Sequence, residues 1–441
     1  MQTDRSNLSD IDRFISLIED YPRLYAACEW YTNYADDPPV TGFHITGNPV
    51  TRNETDGSLH DINGYGFSSN PLVAYCKAAG EVLERYCSVC YRTKKLLFGS
   101  RHDVPDSIDP KMIPNYSNKQ KTKFRYEYNP DATYYWQKTT QLQTGATTYI
   151  PAQLIYTNYE YHNDEQFLRS PISTGASGGW TITDATLGGI YEDVERDAMM
   201  IFYLNMIKPP KVRIQNIQDN TTLEIIDLLR RYSLQTHIYD ITTDIPIPTY
   251  MVLLEDNGDT VPFSFGTKAH LDPVIALRGA IEEAIQTRRS ARSNREHLQL
   301  KLSPPLTEPK KIITIQDRAK YWASIEYKKS LAYLFDKKHT HYASFQTNTK
   351  NLSAENQLNE VKKIFQRKNI PLYIADITDN SVAASGYHVI KAFAPDLQPL
   401  YFYERYPYWG IQRLFDVPVR LGYCKKSRGE HELNPVPHPI V

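Results

Sequence analysis

Two stretches of this chain carry the same charged pattern: GEVLERYC at residues 80–87 and YEDVERDA at residues 191–198. Each contains E-x-x-E-R, as Glu81, Glu84 and Arg85 in the first and Glu192, Glu195 and Arg196 in the second. On a helix this spacing sets both carboxylates on one face, a turn apart. Like charges there repel mildly unless something cationic lies between them. Two readings stand at this point. One is a solvated face with local Arg pairing. The other is a site for Mg2+, which prefers a few carboxylates, water and phosphate oxygens, with Arg presenting its planar fork to phosphate.

A third stretch bears on the choice. DPVIALRGAIEEAIQTRRSARSNREH, residues 272–297, reads as a helix with Pro273 at its start. Ile275, Ala276, Gly279, Ala280 and Ala284 allow close packing on one side. Another side carries Glu283 and Gln286, then Arg288, Arg292 and Arg295. Before the second acidic helix lies STGASGGWTITDATLGG, residues 173–189, rich in small residues that let backbone N–H groups approach an anion. It has no G-K-[ST], and the chain has no H-R-D or D-F-G, so neither a P-loop nor a kinase is indicated. Thr183 or Asp184 is expected to cap the helix that follows.

Composition excludes other classes. The chain has 441 residues, 41% hydrophobic and 23% charged, with a net charge of −1, which points to neither nucleic acid nor membrane surface. Tyr is abundant, 33 against 15 Phe. The N-terminus is polar and no run approaches a membrane span, so a cytoplasmic location is expected. Five cysteines read as reduced thiols, and Cys87 and Cys90 form a C-x-x-C with no second pair at zinc spacing.

Residues 9–20 read as a helix capped by Ser9, with a stripe of Ile11, Phe14, Ile15 and Ile18. Residues 222–232 read as another helix, and 147–156, 236–243, 248–256, 371–378 and 387–395 as strands. The segment 100–140 reads as a long excursion and 301–311 as a surface loop. Helices and strands mix without a strict βαβ rhythm, so an α+β fold with mixed sheets and packed helices is expected. The expected organisation is a helical extension over 1–58 and a catalytic domain over 59–441 with a proline-rich tail.

Together these stretches resemble the YcaO family of ATP-dependent enzymes that modify peptide backbones. NPLVAYCKAAGEVLERY resembles its first acidic helix, STGASGGWTITDATLGGIYEDVERDAM its loop and second helix, and ALRGAIEEAIQTRRSARSNRE its third. HVIKAFAPDLQPL and LNPVPHPIV resemble a late strand and the proline-rich end. The resemblance implies ATP and Mg2+ as cofactors. It implies Glu81, Glu84, Glu192, Glu195 and Glu283 as metal ligands. It implies Arg85, Arg196, Gln286, Arg288 and Arg295 near phosphate, with Ser173 and Thr174 beside the nucleotide. Two departures are Phe67, where the family usually has a loop Lys, and Thr174, where it has Asn. Lys77, at a position that is usually Ser, is expected to supply the missing cation.

Within the family, a P-x-P-x-P ending resembles azoline-forming cyclodehydratases of thiazole/oxazole-modified microcin and bacteriocin biosynthesis. Here it is Pro435, Pro437 and Pro439, with Val441 offering the terminal carboxylate. The implied substrate is a ribosomal precursor peptide whose Cys, Ser or Thr attacks the preceding amide. The resemblance further implies a separate leader-binding E1-like (ThiF-like) partner and, in many systems, a flavin-dependent azoline dehydrogenase. Oligomeric state, a homodimer included, stays open. Backbone thioamidation and a non-catalytic ATP-binding subunit are the alternatives.

Overall fold

The computed structural model describes residues 11–17, 24–31, 34–51, 59–161, 165–256, 261–297, 312, 315–322, 330–335, 341–343, 345 and 352–440. It is a mixed α+β structure in two compact units. The first comprises Met1–Asn33, Pro39–Asp193 and Leu352–Asp396, and the second Tyr34–Pro38, Val194–Asn351 and Leu397–Val441. Strands from the N-terminal region share a sheet with a strand that begins at residue 59.

In the first unit β1 (Tyr25–Trp30), β2 (Thr41–Thr51) and β3 (Leu59–Ser68) form an antiparallel sheet. The helical segment α1 (11–17) buries Ile11, Phe14 and Leu17, while Ile15 is exposed. The stripe is thus set by i, i+3 and i+6. Ser9 and Ile18 lie outside the described residues. Helix α2 (Pro71–Val89) covers β3, opening with Pro71 after Asn70, whose side chain accepts from the Leu72 amide. A six-stranded sheet contains β4 (Leu97–Ser100), β5 (Thr133–Gln141), β6 (Thr147–Pro151), β7 (Ala176–Gly179), β13 (Tyr373–Asp376) and β14 (His388–Phe393). Its order is β4-β5-β13-β14-β7, with β6 on β5, and every pairing is antiparallel.

The segment expected as an excursion supplies β5, which buries Tyr134 and Trp136 by strand alternation. It also supplies α3 (Asn118–Phe124), closed by a capping box between Ser117 and Gln120. The strand expected over 147–156 stops at Pro151 and gives way to a 3-10 turn, because proline removes a ladder donor. Cys87 is buried in the core with Val82, Leu83 and Trp136, and burial pushes the Cys90 thiol up to about 12. The strands expected over 371–378 and 387–395 are β13 and β14, and they pair antiparallel.

Helix α4 (Ile182–Leu204) begins in the first unit and continues into the second, crossing between Asp193 and Val194. Its cap is Thr181, not Thr183 or Asp184: Thr181 Oγ1 accepts the Asp184 amide and donates to the Asp184 carboxylate. In the second unit the sheet order is β11-β10-β9-β8-β12, built from β8 (Lys211–Val212), β9 (Leu234–Asp240), β10 (Thr249–Asp256), β11 (Phe263–Ala269) and β12 (Tyr342–Ala343). Every residue of β10 is buried. Helix α5 (Asn220–Arg231) lies against β9, and α6 (Pro273–His297) against β10 and β11. The loop expected over 301–311 lies outside the described residues.

Candidate active site

The first unit gathers Glu81, Glu84 and Glu192. Glu81 accepts the Tyr65 amide at 2.6 Å and the Arg85 guanidinium at 2.6 and 3.0 Å. Arg85 is exposed, and its pairing with Glu81 is the i,i+4 contact expected of a helix face. Glu84, one turn on, behaves differently. Burial, then the neighbouring charges of Glu192 and Glu81, push its carboxyl well above the usual carboxylate range. Glu192 accepts the Gly175 amide at 3.0 Å. Ser173 is exposed on the same loop and Thr174 is buried.

Lys77 is exposed and donates to the Phe67 carbonyl at 3.3 Å. Phe67 itself is turned inward, 1% exposed and packed on Tyr31, so its side chain cannot take the place of the family's loop Lys. The ammonium that approaches this loop is that of Lys77. It borders a cavity of about 260 Å³ whose wall includes Phe14, Gly178, Trp180 and Tyr387.

The second unit gathers Glu195, Arg196 and Glu283. Arg196 pairs with Glu195 at 2.9 Å and with Glu283 at 3.8 Å, and also donates to Thr267 Oγ1. Glu283 accepts the Thr267 amide at 2.6 Å. Burial, then the Glu195 charge, raises its carboxyl to about 7 against the opposing pull of Arg196. Lys268 stands 3.9 Å from Glu195. Gln286 is half-buried and makes no side-chain hydrogen bond among the described residues.

Arg288 is held by buried acidic partners. It is 3% exposed and donates to Asp37, Asp256 and the Val261 carbonyl at 2.8 to 2.9 Å. Those buried ion pairs occupy its fork and anchor residues 34–38. The Arg295 side chain and Val441 lie outside the described residues.

The proline-rich end is docked. Asn434 donates from its backbone to the Leu204 carbonyl at 2.7 Å, and Tyr203 Oη donates to the Pro437 carbonyl at 2.8 Å. Arg318, wholly buried, donates to the His438 carbonyl and pairs with Glu404. His438 is also wholly buried and its Nε2 meets the Tyr401 carbonyl. Burial, then the charge of Arg318 and more weakly that of Arg196, holds its ring neutral, well below the usual imidazole range. Pro437 and Pro439 are buried and Pro435 is exposed.

Sequence reasoning missed Lys391, Thr267 and Lys268. Lys391 could have been noticed as the one cation in the apolar run HVIKAF. Thr267 acts through its backbone amide, which reaches Glu283, and through its hydroxyl, which donates to Glu195 and accepts from Arg196.

The donor chemistry accommodates a metal–nucleotide. Each unit holds crowded carboxylates with one carboxyl raised by burial and then by like charge, and a cation would relieve the repulsion part of that rise. Among the described residues no three acidic, Cys or His groups form a metal cage by themselves. Mg2+ suits such a site because it completes its shell with water and phosphate oxygens.

The family model described as YcaO cyclodehydratase, ATP- and Mg2+-binding, matches residues 63–398. The chain belongs to the YcaO family. It is 29% identical over 166 residues to an uncharacterised protein of the tfuA 3' region of Rhizobium leguminosarum bv. trifolii, covering 35% of this chain and 39% of that one. Among solved structures it is similar to a heterocyclase in complex with substrate and cofactor, with a TM-score of 0.76, 20% identity and coverage of 96% of this chain and 57% of the other. It is also similar to the YcaO protein of Methanopyrus kandleri bound with AMPPCP and Mg2+, with a TM-score of 0.65, 16% identity and coverage of 89% and 91%. The YcaO chain thus spans little more than half of the heterocyclase and less than half of the rhizobial relative. At these identities the solved structures establish the fold. No described helix is long and apolar enough to cross a membrane.

Proposed function

We propose that this YcaO protein is an ATP- and Mg2+-dependent cyclodehydratase that converts Cys, Ser or Thr residues of a ribosomal precursor peptide into thiazolines or oxazolines. The observation that carries this reading is the pair of crowded acidic sets to which one helix contributes a glutamate each. Helix α4 gives Glu192 to the set with Glu81 and Glu84, and Glu195 to the set with Glu283.

In this reading each acidic set holds Mg2+ through phosphate oxygens. Arg85, Arg196, Gln286 and Lys77 balance or contact phosphate, and Ser173 and Thr174 flank the nucleotide. Bound Mg-ATP supplies a phosphoryl group that makes the amide oxygen a competent leaving group. The chain's own residues position and neutralise, so a protein nucleophile is not required. Strand amides of Tyr65 and Thr267 fix the orientation of Glu81 and Glu283, which keeps carboxylate reorganisation small. The docked tail with Pro435, Pro437 and Pro439 favours azoline formation, since Tyr203 and Arg318 hold the backbone that leads to Val441. The partners in this reading are a leader-binding E1-like protein and a separate flavin-dependent dehydrogenase.

The test incubates the chain with a candidate precursor, its leader-binding partner and Mg-ATP, and follows mass. Loss of water per modified residue supports the proposal. Exchange of oxygen for sulfur when sulfide is supplied assigns thioamidation instead. No mass change with every component present sinks both and leaves a non-catalytic subunit.

A further inference from the structure

Lys391 is the most anomalous charge in the first unit. It sits in β14 between Ile390 and Ala392, is 1% exposed, and pairs in register with Ala176 of β7 and Ala375 of β13. An ammonium in such a place carries a large desolvation cost unless its protons find acceptors. Two of its three protons do: Nζ donates to the Ile172 carbonyl at 2.7 Å and to the Thr174 carbonyl at 2.6 Å. These bracket Ser173, whose own carbonyl accepts the Ala176 amide.

The loop is closed on its other sides as well. The Gly175 amide reaches Glu192, and the Gly175 carbonyl accepts the amide of Ala392, the residue after Lys391. Gly175 has φ +89, and a β-carbon there would collide with the Ala392 carbonyl and approach Asp193. Residues 172–176 are therefore tied to the strand by Lys391 and to helix α4 by Glu192. The same ammonium faces the charges of Asp193, Glu192 and Glu84.

We propose that Lys391 is the positioning residue of the site: by binding both carbonyls that flank Ser173 it holds the 172–175 loop in the shape that presents Ser173 outward and delivers the Gly175 amide to Glu192. This rests on the Mg-ATP reading above, in which that loop flanks the nucleotide. Lys391 does not itself touch the nucleotide. It acts through the loop and through the charge balance of Glu84 and Glu192.

The experiment compares Lys391→Met with Val389→Ala, a core truncation two residues earlier in the same strand at a wholly buried position. Two readouts are taken on the full chain: the affinity for a non-hydrolysable Mg-ATP analogue, and hydrogen exchange at the amides of Gly175 and Ala176 without nucleotide. Lys391→Met is expected to weaken the analogue by about tenfold or more, as loss of charge-assisted hydrogen bonds does, and to speed exchange at both amides. Val389→Ala should lower the melting temperature while leaving affinity and those amides near wild type. Lys391→Arg, which keeps charge and donors, should recover part of the affinity. If Lys391→Met leaves exchange unchanged, or changes both readouts no more than Val389→Ala, the proposal is overturned. Faster exchange with unchanged affinity also overturns it, by separating the loop from the nucleotide. A wild-type chain that binds no Mg-nucleotide at all, yet shows the exchange effect, instead removes the Mg-ATP reading.

Discussion

The two units contain the same strand–helix module, 202 residues apart, turned to different electrostatic ends. In the first, GYGFSSNPLVAYCKAAGEVLE joins β3 to α2; in the second, GTKAHLDPVIALRGAIEEAIQ joins β11 to α6. Gly64 and Gly266 begin them, and a β-carbon on either would strike a helix carbonyl, that of Ala78 or Ala280. Asn70 and Asp272 each accept the amide two residues on, ahead of Pro71 and Pro273. Glu81 and Glu283 each accept a strand amide at 2.6 Å from sixteen residues upstream. Then the modules diverge. Glu84 and Arg85 in α2 correspond to Gln286 and Thr287 in α6. The first set has three carboxylates and a buried Lys391, and the second has two carboxylates and a half-buried Arg196. The conserved geometry orients one glutamate per module, while the divergent positions decide how much charge is left for a ligand to neutralise.

The largest expected effect tests the shared part. Glu81→Gln and Glu283→Gln keep shape and remove charge, and each should lower ATP turnover by about a hundredfold or more, in line with loss of one preorganised electrostatic group. Glu192→Gln should abolish turnover. Steady-state phosphate release with precursor and partner present measures all three. If Glu81→Gln is silent while Glu283→Gln is severe, the modules share a fold and not a role.

Packing offers the next test. Gly64→Ala and Gly266→Ala each force the helix off its strand, at about 1–3 kcal/mol by denaturant unfolding. Similar values for both are expected, because the obstructing atom is a helix carbonyl in each case. A neutral result at one site would show that its helix can shift and that the modules are not equally close-packed.

How much of this could be read from the sequence follows the same divide. Side-chain periodicity exposed α2, α4 and α6, and with them all five glutamates. The repeat escaped notice because its signal is carried by glycine, proline, alanine and cap residues that look like ordinary punctuation. The buried partners of Arg288 were not legible, because a guanidinium after an acidic residue has the same pattern whether it faces phosphate or pairs with buried Asp37 and Asp256. Lys391 was passed over because its role depends on carbonyls more than 200 residues away. The tail was visible as three prolines, but its docking depends on Tyr203 and Arg318, which no local pattern links to it.

The pH response should separate the modules further. Glu283 titrates near about 7 in the folded chain, above its ordinary value of 4.5. The folded state then holds the proton more tightly than the unfolded state. Stability from this group is fully present below pH 4.5 and is lost as pH rises to about 7. Mg-nucleotide needs the carboxylate ionised, so its added stabilisation should grow across the same interval. Melting curves with and without Mg-nucleotide from pH 5 to 8 measure both trends, and Glu283→Gln should flatten them. If the mutant keeps the full wild-type pH profile, the titrating group lies elsewhere, with Glu84 the next to examine.

The smallest effect distinguishes the two arginines that follow the same motif. Arg85 lies with 47% of its side chain exposed, paired to Glu81 across one turn of helix. An exposed pair of this kind contributes about 0–1 kcal/mol, so Arg85→Ala should cost no more than that in urea unfolding. Arg196 has a side chain only 13% exposed between Glu195 and Glu283. Removing it strands two carboxylates beside each other, and Arg196→Ala should cost several-fold more than Arg85→Ala, with the difference shrinking as pH falls and Glu283 takes up a proton. Raised salt should reduce the Arg85 effect and leave most of the Arg196 effect, since screening acts on solvated charges. Equal losses for the two variants would mean that E-x-x-E-R serves the same purpose in both helices and that the burial of Arg196 carries no consequence.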